Sequence, residues 1–258
     1  MKVSWPEQVL LKNTEDNMDL FEYFVNNTGK KITKWTHYFP VYEKHFKHLT
    51  DRPIKILEIG VLNGGSLQMW KKYFHPDSIL VGIDIDQKCK LHEDLDSNIN
   101  IRIGDQSNPI FLQKLIDEFG EFDLVIDDGS HHVDHVHKTF EFLYPKIANN
   151  GTYFIEDTHA AYWSSHGGSL TEPKSIINVS KKLIDKLNAD HTKGQVEPDS
   201  FTKSTQCITF YDSIIVFERG DVGEKKPMET GSSFLTFDPK KEYRDSVNSN
   251  VFYIRTEE

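Results

Sequence analysis

Five short apolar runs recur along the chain, and each is continuous where a half-buried strand would alternate: KILEIG (55–60), ILVGIDI (79–85), INIRIG (99–104), FDLVIDD (122–128) and TYFIED (152–157). Strands rich in β-branched residues read this way when both faces are covered. Helical patterns lie between them at 66–74, near 87–94, at 109–119 and at 133–144. In the last, Val133, Val136, Phe140 and Leu143 fall three or four apart and make one apolar face. Strands alternating with helices predict right-handed crossovers and a parallel sheet with helices on both sides.

The pattern changes after residue 163. Residues 164–203 are polar apart from an amphipathic stretch at 176–187. TQCITFYDSIIVFERG (205–220) then reads as two strands joined at Asp212 and Ser213. So short a joint cannot make a parallel crossover, so this pair is antiparallel. The predicted fold is α/β, a doubly wound, Rossmann-like seven-stranded sheet of five parallel strands followed by an antiparallel C-terminal hairpin. Three regions are expected. Residues 1–50 carry helices around 19–26 and 41–49, residues 51–220 form the main domain with an insertion at about 164–203, and residues 221–258 form a polar arm.

With 258 residues and 37% hydrophobic content, the chain can bury one full core. Thirty basic residues against 40 acidic ones give −10 at pH 7, no field to attract nucleic acid or an anionic membrane. Cys89 and Cys207 are the only cysteines, without a CxxC, and are expected to be reduced thiols. The N-terminal stretch lacks a signal-peptide core, and no run approaches the ~18 apolar residues of a membrane helix. A soluble, cytoplasmic protein is expected.

ILEIGVLNGGSLQMW (56–70) is a strand, a glycine-bearing turn and a helix start. Glu58, Gly60, Gly64 and Ser66 are candidate cofactor contacts, since ligands of such sheets bind outside the carboxyl ends of the strands. The spacing is not the G-x-G-x-x-G of dinucleotide enzymes, nor does a Gly-Lys-Ser/Thr follow. Asp84 ends the second strand, where an acid can accept from both hydroxyls of a ribose or can cap a helix. Asp105 and Gln106 end the third, where they could read an adenine edge. Ser107 or Asn108 could cap the helix that Pro109 opens.

VIDDGSHHVDHVHK (125–138) sets Asp127 and Asp128 at the end of the fourth run and four histidines just after, while Glu156 and Asp157 end the fifth. If the two strands are neighbours, their ends lie about 4.8 Å apart. Carboxylates so crowded must raise a pKa or hold a cation. Oxygen ligands suit Mg²⁺, with Mn²⁺ or Ca²⁺ as alternatives; a zinc site through His131 and His135 is also conceivable. His131 is expected in the first helical turn, where the dipole disfavours imidazolium and leaves a neutral base.

The glycine loop with Asp84 and Asp105 resembles the class I S-adenosylmethionine-dependent methyltransferases over about residues 50–220. DDGSHH followed by IEDTHAAYW (155–163) resembles the metal-dependent sugar O-methyltransferases of macrolide and capsular-sugar chemistry, the cephalosporin-hydroxylase-like group. The resemblance implies Asp128, Glu156 and Asp157 as metal ligands, His131 as base, and a sugar acceptor bound near His132, Tyr162 and Trp163, though both aromatics could equally be core. It implies a homo-oligomer. Lys34, Trp35, His37 and Tyr38 suggest that segment 30–46 covers S-adenosylmethionine, with an ordinary N-terminal helix connection as the alternative, and the long polar 164–203 stretch suits an acceptor lid. Three alternatives stay open: an iron-dependent hydroxylase, a non-catalytic module of the same fold, and a methyltransferase of a carboxylate or amine.

Overall fold

The computed structural model describes residues 19–231. Its elements, in chain order, are α1 (Leu20–Val25), α2 (Phe39–Phe46), β1 (Lys55–Ile59), α3 (Gly65–Tyr73), β2 (Ile79–Asp84), β3 (Ile99–Ile103), α4 (Pro109–Phe119), β4 (Leu124–Asp127), α5 (Val133–Leu143), β5 (Thr152–Ile155), α6 (Ile176–Leu187), α7 (Ser200–Ser204), β6 (Thr205–Tyr211) and β7 (Ile214–Arg219). The predicted helix near 87–94 is instead a 3₁₀ turn, Gln87–His92, capped by Asp86. The described residues up to Gly223 form one compact unit that holds all these elements. The C-terminal arm expected at 221–258 lies outside the described residues from 232 onward.

Seven strands make one sheet in the order β3-β2-β1-β4-β5-β7-β6, with β1 to β5 parallel and β7 antiparallel to both its neighbours. The apolar runs are continuous because both faces are covered. Ile56, Leu80, Leu124 and Phe154 face a layer built with Tyr42, Phe46 and Trp70 from α2 and α3. Leu57, Val81, Val125 and Tyr153 face the opposite layer with Leu112, Leu115 and Phe140 from α4 and α5. Chain order reverses between β1 and β4, so the loops leaving their carboxyl ends diverge and open a crevice. Register then places Asp127 opposite Ile155, and the Glu156 N–H donates to the Asp127 carbonyl at 3.0 Å.

Local signals position the helices. Asn108 caps α4 by accepting from the Ile110 and Phe111 N–H groups, and Pro109 supplies the N1 position. α6 lies within the segment expected as an insertion at about 164–203. It packs beside α5 and β6, with Ile176 and Ser180 buried. Near Gly167 the segment meets the His132 ring, which a Cβ at that glycine would approach to 3.0 Å, and Ile176 at the start of α6 joins His131, Glu156 and Asp157 around a small cavity. Among the described residues no helix is long and apolar enough to cross a membrane.

A polar latch ties α2 to the terminal hairpin. Buried His45 has Nδ1 2.9 Å from Glu218 Oε1 and Nε2 2.9 Å from Tyr211 Oη, while Cys207 Sγ donates to Glu218 Oε2 at 2.8 Å. The His45 contact, helped by Cys207 and opposed by burial, pulls the Glu218 carboxyl from its ordinary 4.5 down to about 2. A depressed carboxyl stabilises the fold fully above about pH 4.5 and loses that contribution as pH falls through about 2. Glu218→Gln should therefore unfold at lower denaturant than the parent near pH 6, with the gap closing as acid is added, measured as urea midpoints across the range. A gap independent of pH would assign the effect to packing.

Candidate active site

Gly60 follows β1 at φ +93°, and a Cβ there would lie 2.2 Å from the Asp128 carbonyl oxygen, so only glycine lets the two loops touch. Beside it opens a cavity of about 480 Å³ walled by Gly60, Leu62, Asp84, Asp105, Ser130 and His131 among others. Asp84 accepts from the Val61 and Leu62 N–H groups, both at 3.0 Å, and from Asp86 N–H at 2.9 Å. Burial works against its charge, but those donors outweigh it and hold the carboxyl below its usual range. It does not cap the following turn, because Asp86 does. Asp105 accepts from the Ser107 N–H and hydroxyl at 2.8 and 2.9 Å and stays on the cavity wall.

Other sequence candidates serve the wall instead of facing the space. Glu58 is fully buried and accepts from Ser66 Oγ at 2.9 Å and Trp70 Nε1 at 3.0 Å, pinning α3 to β1. Burial pushes its carboxyl up to about 7. Gly64, at φ +68°, packs against the His92 ring. Gln106 touches the cavity, but its amide is spent within the protein. Nε2 donates to Asp127 at 3.2 Å and to Thr139 at 3.3 Å, and Oε1 accepts from Ser130 N–H at 2.8 Å. Asp127 is buried too, donated to by Tyr153 Oη at 3.2 Å, and burial raises its carboxyl to about 7. The pair of acids ending β4 thus splits: Asp127 belongs to the core and Asp128 to the rim.

At that rim Asp128, Glu156 and Asp157 meet three donors from one N-terminal stretch. Lys34 Nζ lies 2.6 Å from Asp128 Oδ2 and 2.7 Å from Glu156 Oε2, with only 3% of its side chain exposed. Tyr42 donates to Glu156 Oε1 at 2.9 Å, and Tyr38 to Asp157 Oδ1 at 2.5 Å. Burial disfavours the Lys34 ammonium, but Asp128 and Glu156 outweigh it and hold its pKa well above the ordinary range. Burial pushes the Glu156 carboxyl upward, against the pull of Lys34. The spacing of Lys34, Tyr38 and Tyr42, each four residues on, is the signal that could have revealed these donors. Tyr38 consequently faces Asp157 and lies off the larger cavity.

His131 completes the arrangement, with Nε2 3.8 Å from Asp128 Oδ1 and 3.6 Å from Asp157 Oδ2. One ligand atom from each of Asp128, His131 and Asp157 falls within 4.8 Å of the others, a set able to hold a metal ion. Glu156, the third ligand expected from sequence, lies next to this set, with Lys34 at one oxygen and Tyr42 at the other. His131 is not in the first helical turn. It precedes the cap residue His132 and takes a left-handed φ of 54°. Its pKa is lowered chiefly by burial, against the opposing pull of Asp128 and Asp157, so the imidazole is neutral for a reason other than the helix dipole.

A second cavity, of about 280 Å³, opens on the far side of the acids between Lys34, Trp35, Tyr38 and Glu156. Thr33, Asp128 and Asp157 wall both cavities, so the two meet at the rim. Tyr162 and Trp163 are about half exposed, which removes the core reading for them. Trp163 lies in a row of rings: 4.8 Å from His159 and 5.4 Å from His166, with His159 5.8 Å from Trp35 at the cavity. His132 walls neither cavity; its ring lies by His135 and the Gly167 turn.

No protein-family model matches the chain. It is 34% identical over 214 residues to the 8-demethyl-8-(2-methoxy-alpha-L-rhamnosyl)-tetracenomycin-C 3'-O-methyltransferase of Streptomyces olivaceus, covering 78% of this chain and 54% of that one. It is 38% identical over 200 residues to the mycinamicin VI 2''-O-methyltransferase of Micromonospora griseorubida, covering 71% and 48%. The chain thus spans about half the length of these curated relatives. Among solved structures, the MycE methyltransferase of the mycinamycin biosynthetic pathway, in complex with Mg, SAH and mycinamycin VI, superposes with a TM-score of 0.74. That match has 29% identity and covers 89% of this chain and 60% of that one.

The contact between the β1 and β4 loops makes Gly60 a sensitive point of the crevice. Gly60→Ala must either move the Asp128 carbonyl or abandon its positive φ, at a cost of about 1–3 kcal/mol. A lower melting temperature together with weaker binding of S-adenosylmethionine is the expected result, read by calorimetry. Binding at the parent affinity would mean that the loops do not shape the cavity.

Proposed function

The chain is a homologue of the sugar O-methyltransferases represented by the tetracenomycin and mycinamicin enzymes, and from that relationship we propose that it methylates a sugar hydroxyl, using S-adenosylmethionine and a divalent ion. The observation that carries this reading is the junction of two cavities at Asp128 and Asp157, with His131 between the two carboxylates. The larger cavity takes the donor. Asp84, held charged, meets its ribose, Asp105 stands where the adenine amine would lie, and glycine at position 60 admits the donor close to the backbone. The smaller cavity takes the sugar, with Trp35 at its wall and Tyr162 and Trp163 on the surface beyond.

The carboxylates fit a hard cation: Asp128 Oδ1 and Asp157 Oδ2 are oxygen ligands facing the same space, and the ammonium of Lys34 already stands against this acidic group as a positive charge. Asp128, Glu156 and Asp157 would hold Mg²⁺, with Mn²⁺ or Ca²⁺ able to replace it. Bound there, the ion would acidify and orient adjacent sugar hydroxyls. A hard ion takes oxygen in preference to imidazole, which leaves His131 free. His131 Nε2 receives the hydroxyl proton, a contribution of about 10²–10⁴-fold. The donor supplies a methyl on sulfonium and departs as a neutral thioether, so the protein needs no general acid. What remains for the protein is placement of oxygen and methyl in line. The acceptor is a small molecule, a nucleotide-linked sugar or a glycoside.

Two measurements test this. Mass spectrometry of nucleotide-linked sugars and antibiotic glycosides incubated with donor should detect methyl uptake that chelator abolishes and Mg²⁺ restores; full activity in chelator rejects the metal. His131→Ala should lower turnover by about 10²-fold or more and leave donor affinity near the parent value. Loss of donor binding in that variant would remove His131 from the role of base.

A further inference from the structure

We infer that the acceptor is a neutral glycoside of at least two linked sugar units, the methylated unit in the smaller cavity and the next one lying on Trp163. This rests on the sugar-methylating reading above. A row of rings leads from that cavity across the surface. Trp35 walls the cavity, His159 lies 5.8 Å from Trp35, Trp163 4.8 Å from His159, and His166 5.4 Å from Trp163. Trp35 is 54% exposed and Trp163 48%, so two large apolar side chains stand in water without serving the core or the acid cluster. A contiguous exposed row of this kind marks a binding surface.

The row is held in place. The Trp163 carbonyl accepts from the His166 N–H at 3.0 Å and the Gly168 N–H at 2.8 Å. A Cβ on Gly168 would fall 2.2 Å from the Ala161 carbonyl oxygen, so the turn closes tightly beside Trp163. His159 Nδ1 lies 2.9 Å from Ser213 Oγ in the turn between β6 and β7. Rings fixed beforehand lose little freedom on binding. Charge and shape then select the ligand. Residues 157–173 contain no lysine or arginine. The one ammonium at the smaller cavity, Lys34, is already paired with Asp128 and Glu156. A nucleotide diphosphate would meet carboxylates there, with no free cationic side chain to receive it. Neighbouring rings of the row are tilted by 86°, 59° and 65°. A flat fused-ring aglycone could stack on one of them alone. Linked pyranoses turn from unit to unit, and each offers an apolar C–H face to an indole and hydroxyls to the imidazoles beside it.

The test supplies the common hexoses and 6-deoxyhexoses to the full chain, each as its methyl glycoside, as a disaccharide and as its nucleotide diphosphate derivative, beside an aromatic polyketide glycoside. A disaccharide should exceed the matching methyl glycoside about tenfold in kcat/KM, with the gain in KM. Saturation-transfer NMR without donor or metal should show contact on both of its units. Trp163→Ala should cancel the advantage of the disaccharide, the loss falling on KM, and Trp163→Phe, which keeps a stacking ring, should restore part of it. Equal efficiency for one unit and two overturns the inference and leaves sugar methylation standing. So does preference for a nucleotide-linked sugar or for the polyketide glycoside over every disaccharide. Contact on both units without methyl transfer to any sugar would overturn the reaction and keep the binding row.

Discussion

Carboxylates on two adjacent strand ends repel one another, and the organisation of this molecule follows from how that repulsion is met. Pairing of β4 with β5 forces Asp128, Glu156 and Asp157 together. Removing the partner of a buried charge costs about 3–5 kcal/mol, so a sheet ending in this way needs donors from elsewhere. They come from a stretch that precedes the first strand: Lys34, Tyr38 and Tyr42. The N-terminal segment is accordingly part of the rim, and α2 is tied both to the sheet core through Phe46 and to the terminal hairpin through His45.

Beneath the rim a second polar layer keeps the crevice open. Gln106 bonds Asp127, Thr139 and the Ser130 backbone, and Tyr153 closes the set from β5. Pairing of its members offsets part of the cost of burying this network, a cost that shows in the raised Asp127 carboxyl. The network ties the Gln106 loop after β3 to β4 and β5, and Gln106 and Ser130 also line the cavity.

The sheet was legible in the sequence because strands covered on both faces leave long apolar runs, and because caps and turns are local. Asn108 with Pro109 marks the start of α4, and Asp212 with Ser213 marks the hairpin. Asp84, Asp128 and His131 were legible as strand-end residues of a doubly wound sheet. What was not legible depends on partners far apart in the chain. Nothing near Glu58 tells that its carboxylate serves Ser66 and Trp70, and nothing near Glu156 announces Lys34, 122 residues away. His131 lies two residues before the first residue of α5 and outside its first turn, a placement missed because a left-handed residue before a cap cannot be seen in side-chain periodicity.

The backbone of Asp157 bends into the left-handed region at φ 51°, and this explains how two consecutive acids can have opposite fates. Glu156 still follows the strand and is swallowed by the protein, whereas the next residue swings outward at a corner. Side-chain length suits each post: the longer glutamate spans inward to Lys34 and Tyr42, and the shorter aspartate tolerates the tight corner better than most residues. The order Glu-Asp is thus not interchangeable with Asp-Glu. The transposed dipeptide, identical in charge, would leave the interior under-reached and the corner overcrowded.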